Sequence, residues 1–240
     1  MRSITRLRCS PGRLLLRCGL GLCLLSGLAG CSLLKPTATP PPTFYSFDAA
    51  IAPGAPERTA ALRLPAAGAP TLIVNPPHAA AGFDSQRILY VRSAQQLEYF
   101  AHSEWVETPA RMLVPLLVAA AEKTAAFSAV VPTPGAAAGD LRLDTDIIRL
   151  LHKFGSGPSA VRFTLRANLV DERTRRVLAS REFDATQPAD SDDPYGGVLA
   201  ASRAVQGVVG ELADFVADAA KAWRPPAARP GAAAALPVAR

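Results

Sequence analysis

Between residues 160 and 171 apolar and polar side chains alternate, with Val161, Phe163, Leu165, Ala167 and Leu169 standing against Arg162, Thr164, Arg166 and Asn168. A period of two belongs to a pleated strand with one buried row and one wetted row, because successive side chains leave a strand on opposite faces. A helix would scatter both rows around its circumference. The neighbouring stretches 141–154 and 177–186 are also strand-like, and Gly155-Ser156-Gly157-Pro158 and Asp171-Glu172-Arg173-Thr174 between them are turn formers. The three stretches predict an antiparallel meander whose apolar face must be covered. At Ile147-Ile148 the alternation slips, which predicts a bulge or a strand end covered on both faces.

The cover is expected near the C-terminus. Val205, Val208, Val209, Leu212, Phe215, Val216 and Ala219 recur at helical intervals within 194–223, forming an apolar stripe that can lie on a sheet. Asp190, Asp192 and Asp193 at its start suit the positive end of a helix dipole, and Lys221 and Arg224 suit the negative end. Thr108-Pro109 supplies an N-cap and a proline at the first position of a second helix over 111–124, where Pro115 predicts a kink or an irregular first turn. Runs at 44–48 and 71–75 read as internal strands, and 127–131 as another. Residues 87–92 and 95–102 read as a hairpin, with 95–100 alternatively a helical turn. No internal repeat is evident. The expectation is one α+β domain, a mostly antiparallel or mixed sheet with two main helices packed on one face.

The 240-residue chain carries a formal charge of +6, but Arg2, Arg6, Arg8, Arg13 and Arg17 hold five of those charges and no acid precedes Asp48, so removal of residues 1–30 leaves +1. Nucleic-acid binding needs its basic surface on the folded part, so that role loses its support. The basic start, the apolar stretch 20–28 and the small residues after it read as an export signal, too short for the roughly 20 apolar residues of a membrane span. It ends in Leu28-Ala29-Gly30-Cys31, an aliphatic residue, two small ones and a cysteine. This is the pattern of a bacterial lipobox. Small side chains let an extended segment enter a signal peptidase, and the thiol at the junction can take a diacylglyceryl group. Cys9, Cys18 and Cys23 lie in the segment to be removed, so the mature chain would have no free thiol for disulfides, metal ligation or nucleophilic catalysis. Several acyl chains on Cys31 would anchor it stably, at about 0.8 kcal/mol per buried methylene. Residues 31–43 then read as the lipidated cysteine with a Pro/Thr-rich linker, 44–223 as the folded domain and 224–240 as a disordered Pro/Ala-rich tail.

Motifs for chemistry are scarce. The sequence has neither the G-x-x-x-x-G-K-[ST] cradle for nucleotide phosphates nor the G-x-S-x-G nucleophile elbow. His78, His102 and His152 are widely separated, so no metal site is expected, and no cofactor. Asp144 and Asp146 would share a strand face, but a solvated face explains them more simply than an acid/base pair. Asp190, Asp192 and Asp193 resemble the start of a calcium loop, but Pro194 and the missing distal glutamate break that pattern. Gly155-Ser156-Gly157 reads as a hairpin turn, since no helix follows it to supply amides for a phosphate. No catalytic residue is assigned. Tyr90, Tyr99, Phe100 and Trp105 form an aromatic group that reads as core, with a binding hot spot as the alternative.

Arg87-Ile88-Leu89-Tyr90-Val91-Arg92-Ser93, Gln96-Leu97-Glu98-Tyr99-Phe100, Trp105-Val106-Glu107-Thr108-Pro109 and Met112-Leu113, read with the lipobox, the Tyr45 strand and the closing helix, resemble the ABC-type transport auxiliary lipoproteins, the PqiC-like family. The resemblance covers about 44–223. It implies a non-enzymatic periplasmic subunit that works with an MCE-domain (MlaD- or PqiB-like) protein and its permease and ATPase to move phospholipids or other hydrophobic compounds. It brings no catalytic residues, and it marks Arg87, Tyr90, Tyr99, Trp105 and Pro109 as fold or docking residues. A homo-oligomer is compatible with docking onto a ring-forming MCE protein. Ser32 after the cysteine implies, by the sorting rule of such lipoproteins, the periplasmic face of the outer membrane. Two other readings are a lipoprotein of an outer-membrane assembly machine for β-barrels or lipopolysaccharide, and a periplasmic hydrolase.

Overall fold

The computed structural model describes residues 40–47, 68–135 and 138–224. The chain divides into two units, Met1–Pro41 and Pro42–Arg240, and every element below belongs to the second. The export signal, Leu28, Ala29, Gly30, Cys31, most of the linker and the tail after Arg224 lie outside the described residues.

The strands are β1 (Thr43–Tyr45), β2 (Thr71–Val74), β3 (His78–Ala79), β4 (Arg87–Val91), β5 (Glu98–Trp105), β6 (Ala129–Pro132), β7 (Leu141–Lys153), β8 (Ala160–Asp171) and β9 (Val177–Pro188), with helices α1 (Pro109–Lys123) and α2 (Pro194–Ala222). The sheet is organised around β7. Along one edge β7 pairs antiparallel with β8, which pairs with β9, giving the meander read from the alternation. Along its other edge β7 receives three parallel strands in turn: β2 opposite Leu141–Leu143, β3 opposite Asp146 and Ile147, and β4 opposite His152 and Lys153. Beyond these, β6 continues from β2, while β5 and then β1 continue from β4. The result is an α+β fold with a nine-stranded mixed sheet.

The slip at Ile147-Ile148 is a bulge. Ile147 faces Leu165 and Arg149 faces Thr164, so Ile148 is the extra residue. Without that insertion the core row Leu141, Leu143, Thr145, Ile147 would give way to Arg149. With it, Leu150 and His152 take the inner face. Val161, Phe163, Leu165, Ala167 and Leu169 are all buried on the same side, each large one contributing about 1.5–3 kcal/mol of apolar burial.

Both helices cover that face. In α2, Val205, Val208, Val209, Leu212 and Val216 form the buried stripe, and Ala200, Ala201 and Ala204 bring the helix backbone close to the strands. The three aspartates before it do different work. Asp193 is the N-cap and accepts from Gly196 N at 2.7 Å, Asp192 accepts from Ser159 N, and Asp190 binds Arg203. At the far end Trp223 Nε1 donates to Asp171 Oδ2 at 2.8 Å, while Asp171 Oδ1 accepts from the amide and hydroxyl of Thr174. These bonds hold the Asp171 carboxyl below the usual range. The helix is thus fixed to β8 at its end and to the β7–β8 loop at its start.

Three expectations need correction. β1 is an edge strand that pairs only with β5 among the described residues, and it leaves Phe44 outside the core. Its outward placement follows from its entry at the sheet margin. Thr108 stands at the N-cap of α1, but its hydroxyl makes no cap bond. Glu107 instead accepts from the Thr108 amide, and Arg111 secures Glu107. The segment 95–100 makes no helical turn: Gln95 takes a left-handed backbone (φ 69°) and the strand starts at Glu98. Pro115 lies within α1 on its exposed side, where water can bond the Arg111 carbonyl that the proline leaves free.

Candidate docking site

The five motif residues separate by strand register. Leu89 faces Tyr99 and Arg87 faces Glu104, whereas Tyr90 faces Glu98, so Tyr90 lies on the opposite side of the β4–β5 hairpin from Arg87 and Tyr99. Tyr90 is buried against Phe100 (ring centroids 4.5 Å apart) and meets Phe154 edge-on at 5.6 Å. Its hydroxyl donates to Glu98 Oε2 at 2.9 Å, and that carboxylate raises the phenol pKa by holding the proton. Trp105 is buried on Phe47, with ring centroids 4.7 Å apart. Pro109 is buried as the first residue of α1. These three hold the fold together.

Arg87 and Tyr99 face solvent. The Arg87 guanidinium lies 4.1 Å from the centroid of the Tyr99 ring, and the ring is about half exposed. A cation held flat on an aromatic face forms a rigid, amphipathic contact element of the kind that anchors interfaces. Exposed Leu97 precedes it on the same hairpin. Sequence reasoning did not separate this outward pair from the buried aromatics, because a hairpin with a register shift between Arg87 and Leu89 hides the parity of its residues.

Three arginines of the outer face are ion-paired. Arg162 pairs with Asp184 and Arg166 with Glu182, both at 2.9 Å, and Arg142 reaches Asp144 at 3.0 Å and Glu172 at 2.6 Å. Asp144 and Asp146 do share that face, yet Asp144 is occupied by Arg142 and by the Asn75 amide at 2.7 Å, and Asp146 stands across from Arg166 in the ladder. Asp144 is therefore an ion-pair partner and not half of an acid/base couple.

Under the start of α2, His152 is 2% exposed and its Nε2 lies 2.8 Å from Ser159 Oγ. Asp192 accepts from the Ser159 amide at 3.2 Å, and hydrogen bonding from Ser159 holds its carboxyl below the usual range. The His152 tautomer sets whether Nε2 or the Ser159 hydroxyl donates in the bond between them, and Nδ1 has no partner among the described residues. Burial pushes the imidazole pKa down, against the pull of Asp192 and Asp193. The carboxylate orients the serine and not the imidazole, and Ser159 is itself buried, so no substrate carbonyl reaches its hydroxyl. His78 and His102 are exposed, on β3 and β5. Among the described residues no group of three His, Cys, Asp or Glu side chains could hold a metal ion, and no helix is long and apolar enough to cross a membrane. An open groove of about 680 Å³ runs between α1 and α2, with Leu116, Val209 and Ala213 in its floor and Lys123, Asp214, Asp218 and Lys221 at its rim.

The family of ABC-type transport auxiliary lipoprotein components matches residues 53–213, which include β2 through most of α2. The chain belongs to this family. No curated protein matches it. Among solved structures, a Xanthomonas campestris protein of the DUF330 family is 26% identical and superposes with a TM-score of 0.59, covering 63% of this chain and 86% of that one. An uncharacterized protein superposes with a TM-score of 0.55 at 14% identity, covering 74% of this chain and 99% of its own. The PelC dodecamer from Paraburkholderia phytofirmans gives 0.40 at 10% identity over 59% of this chain and 84% of that one. The second of these likenesses speaks to the fold alone.

Proposed function

We propose that this family member is a non-catalytic docking subunit of an MCE-type transport system for phospholipids or other hydrophobic compounds. In this reading it is anchored through acylated Cys31 to the periplasmic face of the outer membrane. Residues 1–30 are the export signal, 31–43 the lipidated cysteine and tether, 44–223 the docking domain and 224–240 a dispensable tail. The observation that carries the reading is the match to auxiliary lipoprotein components of ABC-type transport, joined to the lipobox at Leu28-Ala29-Gly30-Cys31. The surface agrees with such a role: Arg142, Arg162 and Arg166 of the outer face are ion-paired, and Arg87 stacked on Tyr99 stands out as a contact element. Energy would come from the ATPase of the transporter.

The test is recovery of partners from detergent extracts with the full-length protein as bait. An MCE-domain protein is expected, and Arg87→Ala with Tyr99→Ala should cut its recovery by about tenfold or more, the effect of losing a central interface anchor. Recovery of barrel-assembly, lipopolysaccharide-assembly or cell-wall proteins without an MCE protein refutes the transport reading.

A further inference from the structure

The chain enters the fold at a bare aromatic rim. Phe44 is 56% exposed on one side of edge strand β1, Tyr195 is 58% exposed on the other, and Val106 beside them is 52% exposed. The three are tied together. The Tyr45 ring lies 6.5 Å from the Tyr195 ring, and Val106 N donates to the Tyr45 carbonyl at 2.8 Å. Near this rim Glu107 is paired with Arg111 and Asp190 with Arg203, Glu104 stands across from both Arg87 and Phe44 in the ladder, and Asp192 and Asp193 are held by the amides of Ser159 and Gly196.

We propose that this rim rests on the bilayer interface to which the N-terminus is anchored, with Phe44, Tyr195 and Val106 as the residues that enter it. The inference rests on the reading of Cys31 as the acylated residue. The argument for lipid over another occupant is the length of chain that leads to the rim. Only ten residues lie between Cys31 and Pro42, a contour of less than about 40 Å at roughly 3.5 Å per residue. A surface held that close meets the bilayer at an effective concentration on the order of millimolar, so even weak interfacial affinity keeps the two in contact. Aromatic rings with one apolar body and, in tyrosine, one polar tip are the side chains that favour the headgroup level. Rings that would cost solubility on a freely diffusing protein have a use on one tethered at this edge.

The described residues contain no cysteine, so single labels can be placed at will. Purified full-length, processed protein carrying Phe44→Cys, Val106→Cys or Tyr195→Cys would be nitroxide-labelled and reconstituted into phosphatidylethanolamine/phosphatidylglycerol vesicles. Arg175→Cys is the control, because it sits in the turn next to Asp171, at the opposite end of the 29-residue α2 from Tyr195 and roughly 40 Å away at 1.5 Å per residue. At 44, 106 and 195 collisions with oxygen should rise and collisions with a water-soluble nickel chelate should fall severalfold relative to 175. Equal nickel accessibility at all four positions in vesicles overturns the proposal. So does protection that appears only when a protein partner is added. Flotation separates the two readings. Protein that floats with its rim labels in water refutes the rim alone, whereas protein that does not float refutes the acylation of Cys31 and this inference with it.

Discussion

One substitution made at two places in α2 should have opposite effects. A Cβ on Gly197 would lie 2.5 Å from His152 Nδ1 and 2.9 Å from Cε1, closer than non-bonded atoms tolerate. The imidazole cannot retreat, because its Nε2 is bonded to Ser159 and its ring lies tilted against Phe154 with centroids 4.3 Å apart. Gly197→Ala should therefore cost about 1–3 kcal/mol of overpacking, offset by at most about 1 kcal/mol of helix propensity. A Cβ on Gly207 meets nothing within 4 Å, so Gly207→Ala should gain the propensity alone, roughly 0.5–1 kcal/mol. Urea denaturation of the two variants reads both effects, and thermal melts should separate them at about 2–4 °C per kcal/mol for a domain of this size. His152→Ala should abolish the Gly197→Ala penalty, since the pair are in contact. If Gly197→Ala stabilises as Gly207→Ala does, His152 is not seated under the helix and the described network is wrong.

Stability should also report the imidazole directly. Burial places the His152 pKa in the folded state below its unfolded value near 6.5, so between those values the unfolded chain binds the proton and the folded one does not. Stability is then full above that pH and falls as pH drops from 7 towards 5, by up to about 1.4 kcal/mol per pH unit, whereas the lowered carboxyls of Asp171 and Asp184 act only in more acidic solution. Denaturation midpoints measured across this range should lose that slope in His152→Gln, and an unchanged slope would refute the assignment. At the end of α1, Ala125 has φ 54° with its amide bonded to the Glu122 carbonyl, a left-handed cap that usually takes glycine. Ala125→Gly should raise the melting midpoint, gaining roughly 0.5–1 kcal/mol from relief of the Cβ strain less the added chain entropy, and a lowered midpoint would refute that account.

The meander, its bulge and the closing helix were legible because each is a local pattern: a period of two, one slip at Ile147-Ile148, and a stripe every three to four residues. What stayed hidden depends on the far side of the chain. The parity of Arg87 and Tyr99 is set by a register shift in a hairpin whose other face is Tyr90, and nothing in the order of residues reveals which row turns inward. The edge position of β1 follows from its pairing with β5, some sixty residues later. Asp190, Asp192 and Asp193 look alike in sequence, and only the loop carrying Ser159 and the helix carrying Arg203 give them different tasks. His152 reads as an ordinary polar residue until the bulge turns it beneath Gly197.

The strand that gathers the sheet comes late in the chain, with consequences for assembly. β2, β3 and β4 are joined into one sheet only by residues 141–153, some sixty to seventy positions downstream, so until that segment has been made, β4 has only its hairpin partner β5, β2 only β6, and β3 none among the described residues. Closing loops of that span before any reward is the feature that slows non-local topologies. While the polypeptide emerges, Leu72, Ile73 and Val74 are bare and adhesive, and a holding chaperone would have its work to do during that interval, before the second half arrives.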